Sequence, residues 1–240
     1  MSTIVLVHGA WHGGWCWSRV KRLLAAAAAS VYTPTLTGLG DRAHLASPAV
    51  CLDTHIEDIV RLLECEQLSD VTLVGHSYAG IVVTAVADRV PHRISRLVYL
   101  DAVVPRAQQC LFDCAGSAFR SEIEEQVRTL GAGWRIPVPQ AARLGLMQNE
   151  DVQWVMPRLV PHPYRTFTDP VRLQASVREP VPRSDINCIG LRALGGPRTG
   201  QADGIEDYYE ISTGHDAMVT APEQVAALLL AIAPSSSTDA

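Results

Sequence analysis

The chain has 240 residues, of which 48% are apolar, 19% charged and 6% aromatic, and its formal net charge is −5. This balance is typical of a folded globular protein and excludes an intrinsically disordered chain, while the absence of a basic cluster argues against nucleic acid as a partner. No apolar stretch reaches the roughly 18 residues of a membrane span, and residues 1–8 lack the pattern of a signal peptide, so we expect a cytoplasmic protein without a membrane partner.

Short apolar runs alternate with helical patterns along most of the chain. The runs predict strands at residues 3–7, 31–36, 71–74, 97–100, 186–191 and 207–211. The helical patterns predict helices at 18–28, 53–64, 79–89 and 222–233. Such alternation indicates βαβ units and hence an α/β fold, with a mostly parallel central sheet of about six strands flanked by helices.

The alternation stops between residues 104 and 182. This segment has helical patches at 121–130, 139–147 and 151–159, four prolines from Pro157 to Pro170 and no clear strand. We therefore predict a helical cap at 104–182, inserted before the penultimate strand and lying over the carboxyl edge of the sheet, where open α/β sheets bind ligands. The core would comprise 1–103 and 183–234, and we expect the tail at 235–240 to be disordered.

The sharpest local pattern surrounds Ser77, which follows an apolar strand and precedes a helix. A serine on a tight strand-to-helix turn needs small neighbours so that helix and strand can approach, and Gly75, Ala79 and Gly80 meet this need. This context predicts a nucleophilic serine, although a simple Gly-Ser turn is the alternative.

A serine nucleophile requires an imidazole to accept its proton. His215 follows the last predicted strand and would reach Ser77 from the carboxyl edge of the sheet, so we predict that it is the base. His44, His55 and His92 lie in helix or loop contexts that are more simply interpreted as surface positions. His162, between two prolines of the predicted cap, would face either the substrate or the protein interior.

A glycine-rich loop, residues 8–17, follows the first strand. Its glycines would let the backbone N–H of Ala10 join that of Tyr78 in an oxyanion hole. The glycine spacing does not fit a dinucleotide-binding fingerprint. His8 and His12 could mimic a metal pair, but no carboxylate cluster accompanies them, so we expect neither a metal nor a cofactor. The six cysteines show no zinc or disulfide pattern.

Together, the loop at 8–17, the turn at 75–80 and the segment 214–219 resemble the α/β-hydrolase superfamily, in particular the small esterases that include plant methylesterases and hydroxynitrile lyases. Segments 35–40 and 98–105 resemble bacterial members. The resemblance implies Ser77 as nucleophile, His215 as base, Ala10 and Tyr78 as oxyanion donors, and a cap over an apolar pocket. In the related lyases a lysine follows the histidine; here Asp216 does, which argues against cyanohydrin cleavage.

The sequence departs from the family at the triad acid, which normally follows the strand after the cap. The corresponding stretch, 186–196, contains no carboxylate. Asp101, at the end of a central strand, is a candidate substitute, with a structural turn-capping role as an equal alternative. Asp185 would precede its strand and lie at the wrong edge, Asp203 lies in a glycine-rich loop that the pattern does not place, and Asp216 would face away from the site.

Two functional hypotheses follow. The first is a serine esterase that forms an acyl-enzyme on Ser77 and cleaves a small, mostly apolar ester, with Asp101 as the acid. The second is a non-hydrolytic relative, either a lyase or cyclase in which Ser77 and His215 act as acid and base, or a protein that only binds. The expected partner is a small-molecule substrate. The sequence does not decide between a monomer and a homodimer. The candidate pocket residues are Trp11, Trp134, Trp154, Phe167 and Met218, with packing inside the cap as the alternative role of the aromatic ones.

Overall fold

A computed structural model describes residues 2–174, 181–190 and 204–233. The strands in chain order are β1 (Thr3–Val7), β2 (Ser30–Tyr32), β3 (Val71–His76), β4 (Ile94–Leu100), β5 (Arg135–Ile136), β6 (His162–Pro163), β7 (Arg183–Cys188) and β8 (Asp207–Ile211). The helices are α1 (Ser18–Ala26), α2 (Leu52–Cys65), α3 (Ala79–Arg89), α4 (Leu111–Ala115), α5 (Ser117–Thr129), α6 (Asn149–Val155), α7 (Arg165–Thr168), α8 (Ala217–Thr220) and α9 (Pro222–Ile232).

Six strands form one sheet in the order β2-β1-β3-β4-β7-β8, and every pair in it is parallel. The predicted α/β fold with a six-stranded central sheet is therefore confirmed. In a parallel sheet all carboxyl ends lie at one edge, so the loops after β1, β3, β4 and β8 meet there. These loops carry Ala10, Ser77, Asp101 and His215.

The strands are buried on both faces because their side chains alternate between two hydrophobic clusters. In β1, for example, Val5 and Val7 pack in the cluster that includes α2 and α3, whereas Ile4 and Leu6 pack in the cluster that includes α1 and α9. Helices α2 and α3 thus cover one face of the sheet, and α1 and α9 cover the other. This arrangement holds the carboxyl edge of the sheet rigid beneath the loops.

The segment between β4 and β7 contains α4 to α7 and the two-residue antiparallel pair of β5 and β6. The helix expected at 139–147 is only a 3-10 turn at Ala141–Leu144. Pro139 precedes this turn, and Gly145 ends it in the left-handed conformation, with φ 74°. The helix expected at 151–159 is also shorter, because α6 ends at Val155, whereas α5 is longer than the predicted 121–130.

Several predicted strands also differ from the observed ones: β3 and β4 extend beyond the predicted 71–74 and 97–100, and two others are displaced. Strand β2 ends at Tyr32 rather than at 36, because Pro34 has no N–H to donate and the N–H of Leu36 donates to His8 instead. Strand β7 spans Arg183–Cys188 rather than 186–191, so Asp185 lies inside the strand. Residue 191 and the predicted tail at 235–240 fall outside the described residues. Within the described part of the chain, no helix is long and apolar enough to cross a membrane.

Candidate active site

Ser77 lies at the turn between β3 and α3 with φ 54°, in the left-handed region that side chains other than glycine rarely adopt. Neighbouring glycines permit this sharp turn. A Cβ on Gly75 would lie 2.8 Å from the carbonyl oxygen of Ala79, and one on Gly80 would lie 2.0 Å from that of Val103. The turn therefore depends on the small residues that the sequence pattern singles out.

Ser77, His215 and Asp101 form one continuous hydrogen-bonded chain. The Ser77 Oγ lies 2.8 Å from His215 Nε2, and His215 Nδ1 lies 2.5 Å from Asp101 Oδ2. The Asp101 carboxylate can only accept a hydrogen bond, so His215 Nδ1 carries the proton. Nε2 is then free to accept a hydrogen bond from the serine hydroxyl. The structure thus brings together the predicted nucleophile, the predicted base and the candidate substitute acid.

Asp101 is fixed between two neighbouring strands. It follows β4 directly with φ 43°, and its N–H donates to the Ile186 carbonyl at 2.8 Å. The second carboxylate oxygen, Oδ1, accepts from the backbone N–H of Cys188 at 3.2 Å. Burial alone would lower the pKa of His215, but the hydrogen bond and the charge of Asp101 outweigh it and raise that pKa above its ordinary value of 6.5.

The other candidate acids lie elsewhere. The expectation that Asp185 precedes its strand is wrong. Asp185 is buried within β7, where it accepts from the Asn187 side chain at 2.8 Å. Asp216 is buried against His12, with 3.1 Å between Oδ2 and Nε2. Asp203 falls outside the described residues. Among the carboxylates that the structure describes, Asp101 is the one in contact with His215.

The predicted oxyanion donors, Ala10 and Tyr78, flank Ser77. Within the described residues, neither backbone N–H donates to another group of the chain, so both are available to a bound oxygen. The loop approaches the serine closely: a Cβ on Gly9 would lie 3.0 Å from Ser77 Cβ and 2.8 Å from His76 Nδ1. Only glycine fits at this position without displacing the loop or the turn.

The Tyr78 side chain points away from the turn into a buried polar network. Its hydroxyl lies 2.8 Å from His55 Nδ1, and His55 Nε2 donates to the Thr37 carbonyl at 2.8 Å. Thr37 is held in turn by Asp58, which accepts from both its N–H and its hydroxyl. Burial raises the pKa of Tyr78 and lowers that of His55 to about 4, so both side chains are neutral.

The division of the histidines into exposed and buried ones differs in part from the sequence prediction. His44 and His92 are exposed as expected, but His55 is fully buried, which corrects its assignment to the surface. His162 is buried too: its Nδ1 accepts from the Trp11 N–H at 3.3 Å, and its Nε2 donates to Thr166 at 2.7 Å. A helix pattern in α2 could have revealed the inward face of His55, since Leu52, Ile56 and Ile59 share it.

The predicted pocket residues lie in different places. Trp11, with φ 65°, lines a groove of about 390 Å³ together with Phe119 and Ile123 of α5. Phe167 stacks on Tyr78 with 5.4 Å between the ring centres. The Trp134 ring is covered by the Arg135 guanidinium, 4.2 Å from the ring centre.

The remaining two pocket candidates have packing contacts. Trp154 contacts Trp15 edge to face, with 5.3 Å between the ring centres, and lies beneath the Arg19 guanidinium of α1. Met218 is completely buried in the cluster beneath α1 and α9. Of these candidates, Trp11 is the one that directly follows Ala10, a predicted oxyanion donor. Within the described residues, no group of three or more His, Cys, Asp or Glu side chains is arranged to hold a metal ion.

A parallel sheet with a strained serine after its third strand and a histidine after its last defines the class of α/β hydrolases. The model of the alpha/beta hydrolase family matches residues 4–228, and the chain belongs to this family.

Several relatives carry esterase names. The chain is 42% identical over 179 residues to a carbendazim hydrolyzing esterase from Nocardioides sp. (strain SG-4G), a match that covers 72% of this chain and 74% of that protein. It is 35% identical over 103 residues to methylesterase 1 of Arabidopsis thaliana, which covers 42% of this chain and 39% of the relative. The protein is thus an esterase-like α/β hydrolase.

Solved structures share the fold over almost the full length. An extracellular alpha/beta-hydrolase from a Paenibacillus species superposes with a TM-score of 0.86 at 22% identity, covering 98% of this chain and 100% of that one. A methylesterase from Arabidopsis superposes with a TM-score of 0.69 at 25% identity, covering 96% of this chain and 98% of that one.

Proposed function

We propose that the protein is a serine esterase that cleaves a small, mostly apolar ester through an acyl-enzyme on Ser77. One observation carries this proposal: the continuous contact from Ser77 Oγ through both nitrogens of His215 to Asp101, with distances of 2.8 and 2.5 Å. A serine hydroxyl is a weak nucleophile until a correctly oriented imidazole can accept its proton.

In the first half of the reaction, His215 Nε2 accepts the Ser77 proton while Oγ attacks the ester carbonyl carbon. The carbonyl oxygen becomes an oxyanion and accepts from the N–H groups of Ala10 and Tyr78, which have no other acceptor within the described residues. His215, now an imidazolium, is stabilised by the Asp101 carboxylate. It then donates its proton to the departing alkoxide, which leaves as an alcohol and leaves the acyl group on Ser77.

In the second half, His215 accepts a proton from water and the resulting hydroxide attacks the acyl carbon. The same two N–H groups stabilise the second oxyanion. When the tetrahedral intermediate collapses, the carboxylic acid leaves, and the proton on His215 returns to Ser77 Oγ. Each group ends in its starting state, so the enzyme needs no further reactant besides water.

The non-hydrolytic alternative was motivated by the missing acid after the strand that follows the predicted cap. The 2.5 Å contact between Asp101 and His215 weakens that argument, because a carboxylate reaches the imidazole from a different strand. The names of the relatives also favour ester cleavage and supply test substrates: carbendazim and a methyl ester.

The test compares Ser77→Ala, His215→Ala and the double variant on a p-nitrophenyl ester, carbendazim and a methyl ester. We expect each single variant to lose about 10⁴-fold or more in kcat, with the double variant little worse, because residues that act as one unit are not additive. A serine-directed phosphonate should modify the wild type once, at Ser77, as measured on the intact mass. His92→Ala, at an exposed position, is the control and should retain wild-type turnover. Near-normal turnover by Ser77→Ala, or additive losses, would overturn the proposal.

A further inference from the structure

His12 and Asp216 form a buried pair beside the candidate active site. Their side chains are 1% and 0% exposed, and His12 Nε2 lies 3.1 Å from Asp216 Oδ2. The other nitrogen of His12, Nδ1, lies 2.7 Å from the Ala10 carbonyl oxygen. The Trp15 and His76 rings flank His12, with 5.7 and 6.3 Å between ring centres. One imidazole thus joins the loop after β1 to the loop after β8.

Both ring nitrogens of His12 have hydrogen-bond partners. A carbonyl oxygen only accepts, so Nδ1 carries a proton and donates it to the Ala10 carbonyl. Nε2 contacts Oδ2 of Asp216. Burial alone would raise the pKa of Asp216, but His12, followed by His76 and His215, outweighs burial and keeps that pKa below its ordinary value. The two contacts fix the orientation of the His12 ring.

Each partner depends on the other. Oδ1 of Asp216 is buried without a hydrogen-bond partner among the described residues, so His12 is the one described donor to the carboxylate. Without His12 the Asp216 carboxyl group would be buried with no described donor, and a buried polar group without a hydrogen-bond partner is destabilising.

The two ends of this pair reach the groups proposed to act on the substrate. Ala10 carries an oxyanion donor, and Asp216 directly follows His215. The His215 carbonyl is itself held by His76 Nε2 at 2.9 Å, and the Asp216 N–H donates to the Leu144 carbonyl at 3.0 Å. The position of Ala10 is therefore fixed relative to His215 through His12 rather than through the sheet alone.

We propose that His12 is a positioning residue for ester cleavage: its Nδ1–H holds Ala10 so that the Ala10 N–H faces the oxyanion, and Asp216 holds His12. The inference rests on the proposed serine-esterase function. A purely structural contact between His12 and Asp216 would affect stability without a selective effect on the binding of the oxyanion.

Two isosteric variants separate the two hydrogen bonds. In His12→Asn the amide nitrogen takes the place of Nδ1 and retains the bond to Ala10, whereas in His12→Gln it takes the place of Nε2 and retains the bond to Asp216. The readouts are kcat and KM for a p-nitrophenyl ester, the inhibition constant of a trifluoromethyl ketone, and the melting temperature. The ketone forms a tetrahedral adduct with the serine, and its oxygen occupies the position of the oxyanion.

We expect His12→Gln to lose about 10- to 10²-fold in kcat with little change in KM, a fraction of the loss on removing an oxyanion donor outright. Its affinity for the ketone should fall in proportion to kcat/KM. His12→Asn should lose about tenfold less than His12→Gln, although its melting temperature should also fall. His92→Asn is the exposed control and should match the wild type in all four readouts.

If His12→Gln does not fold, Asp216→Asn and Asp216→Ala test the same series of hydrogen bonds from Asp216 through His12 to Ala10. Asparagine can still bond to Nε2 of His12, so it should preserve several-fold more kcat and ketone affinity than alanine. Equal kcat losses in the paired variants, or unchanged ketone affinity in spite of a lower melting temperature, would overturn the positioning role. If Ser77→Ala retained turnover, the proposed function would fail instead, and that result is distinct from any outcome at His12.

Discussion

Asp101 contacts His215 across an intervening strand: the two residues follow β4 and β8, which are separated in the sheet by β7. The loop after β8 must therefore fold back over the end of β7 to bring Nδ1 within 2.5 Å of the carboxylate. The end of β7 contributes the Cys188 N–H, which holds the second carboxylate oxygen. The end of β7 thus supplies a backbone donor that holds the Asp101 carboxylate beside His215.

The first prediction concerns this carboxylate. Asp101→Asn keeps the shape of the side chain but presents either an amide oxygen or an amide nitrogen to Nδ1, and the nitrogen would favour the wrong tautomer of His215. We expect kcat to fall about 10²- to 10⁴-fold with a smaller change in KM. Steady-state kinetics on a p-nitrophenyl ester measures both values.

Asp113→Asn is the matched control, since Asp113 caps the start of α4 at an exposed position by accepting from the Cys110 N–H. Because the asparagine oxygen can still accept from the Cys110 N–H, we expect at most a small change in stability and no change in turnover. The reverse pattern, in which Asp101→Asn lowers only the melting temperature, would assign Asp101 to a structural turn.

The second prediction concerns pH. His215 must be neutral to accept the serine proton, and its pKa is raised from 6.5, so kcat/KM should fall as the pH drops through a value above 6.5. In Asp101→Asn the charge of Asp101 is gone, and burial is opposed by the smaller effect of Asp216. The acidic limb should therefore move to lower pH even though the maximal rate is smaller. An acidic limb at the same pH in both proteins would show that Asp101 does not control the titration of His215.

Much of this site follows from the sequence, because its signals are local. The run of apolar residues before Ser77 and the glycines around it identify a strand-to-helix turn, and the position of His215 after the last strand places it at the same edge. Asp101 could be named as a candidate on the same ground but not selected, since its competitor was a turn cap. Only the strand order β4-β7-β8 and the path of the last loop decide which carboxylate reaches the imidazole.

The partners of the buried histidines could not be predicted in the same way. The apolar face of α2 indicates that His55 points inward, but its hydroxyl partner Tyr78 is 23 residues further along the chain. His12 and Asp216 are separated by 204 residues. Polar contacts of this kind depend on tertiary structure and leave no periodic pattern in the sequence.

The third prediction concerns the strain at Ser77, whose φ is 54°. A Cβ in the left-handed region costs about 1–2 kcal/mol, so glycine should fit this turn better than alanine. We expect Ser77→Gly to be more stable than Ser77→Ala by about 1 kcal/mol, after allowance for the greater freedom of glycine in the unfolded chain. Both variants should lack activity. Urea unfolding measures the difference.

Ser121 provides a control of opposite sign because it is exposed within α5. There, Ser121→Gly should be about 1 kcal/mol less stable than Ser121→Ala, as expected from helix propensity. If glycine were the less stable residue at position 77 as well, the turn would not be strained in solution.

The fourth prediction concerns acid stability. Burial lowers the pKa values of His8 and His76 to about 3 and of His55 to about 4. In the unfolded chain these histidines titrate near 6.5, so below that pH the unfolded state binds protons that the folded state excludes, and folding stability falls with falling pH. These three groups and His162, whose pKa burial also lowers well below 6.5, together give a slope of up to about 5 kcal/mol per pH unit between about pH 6 and pH 4. Denaturant unfolding measured across this range should show this slope.

His76→Asn should lower the slope by the contribution of one titrating group, whereas His92→Asn, at an exposed position, should leave it unchanged. A flat profile down to pH 4 would mean that these histidines are solvated or charged in the folded protein.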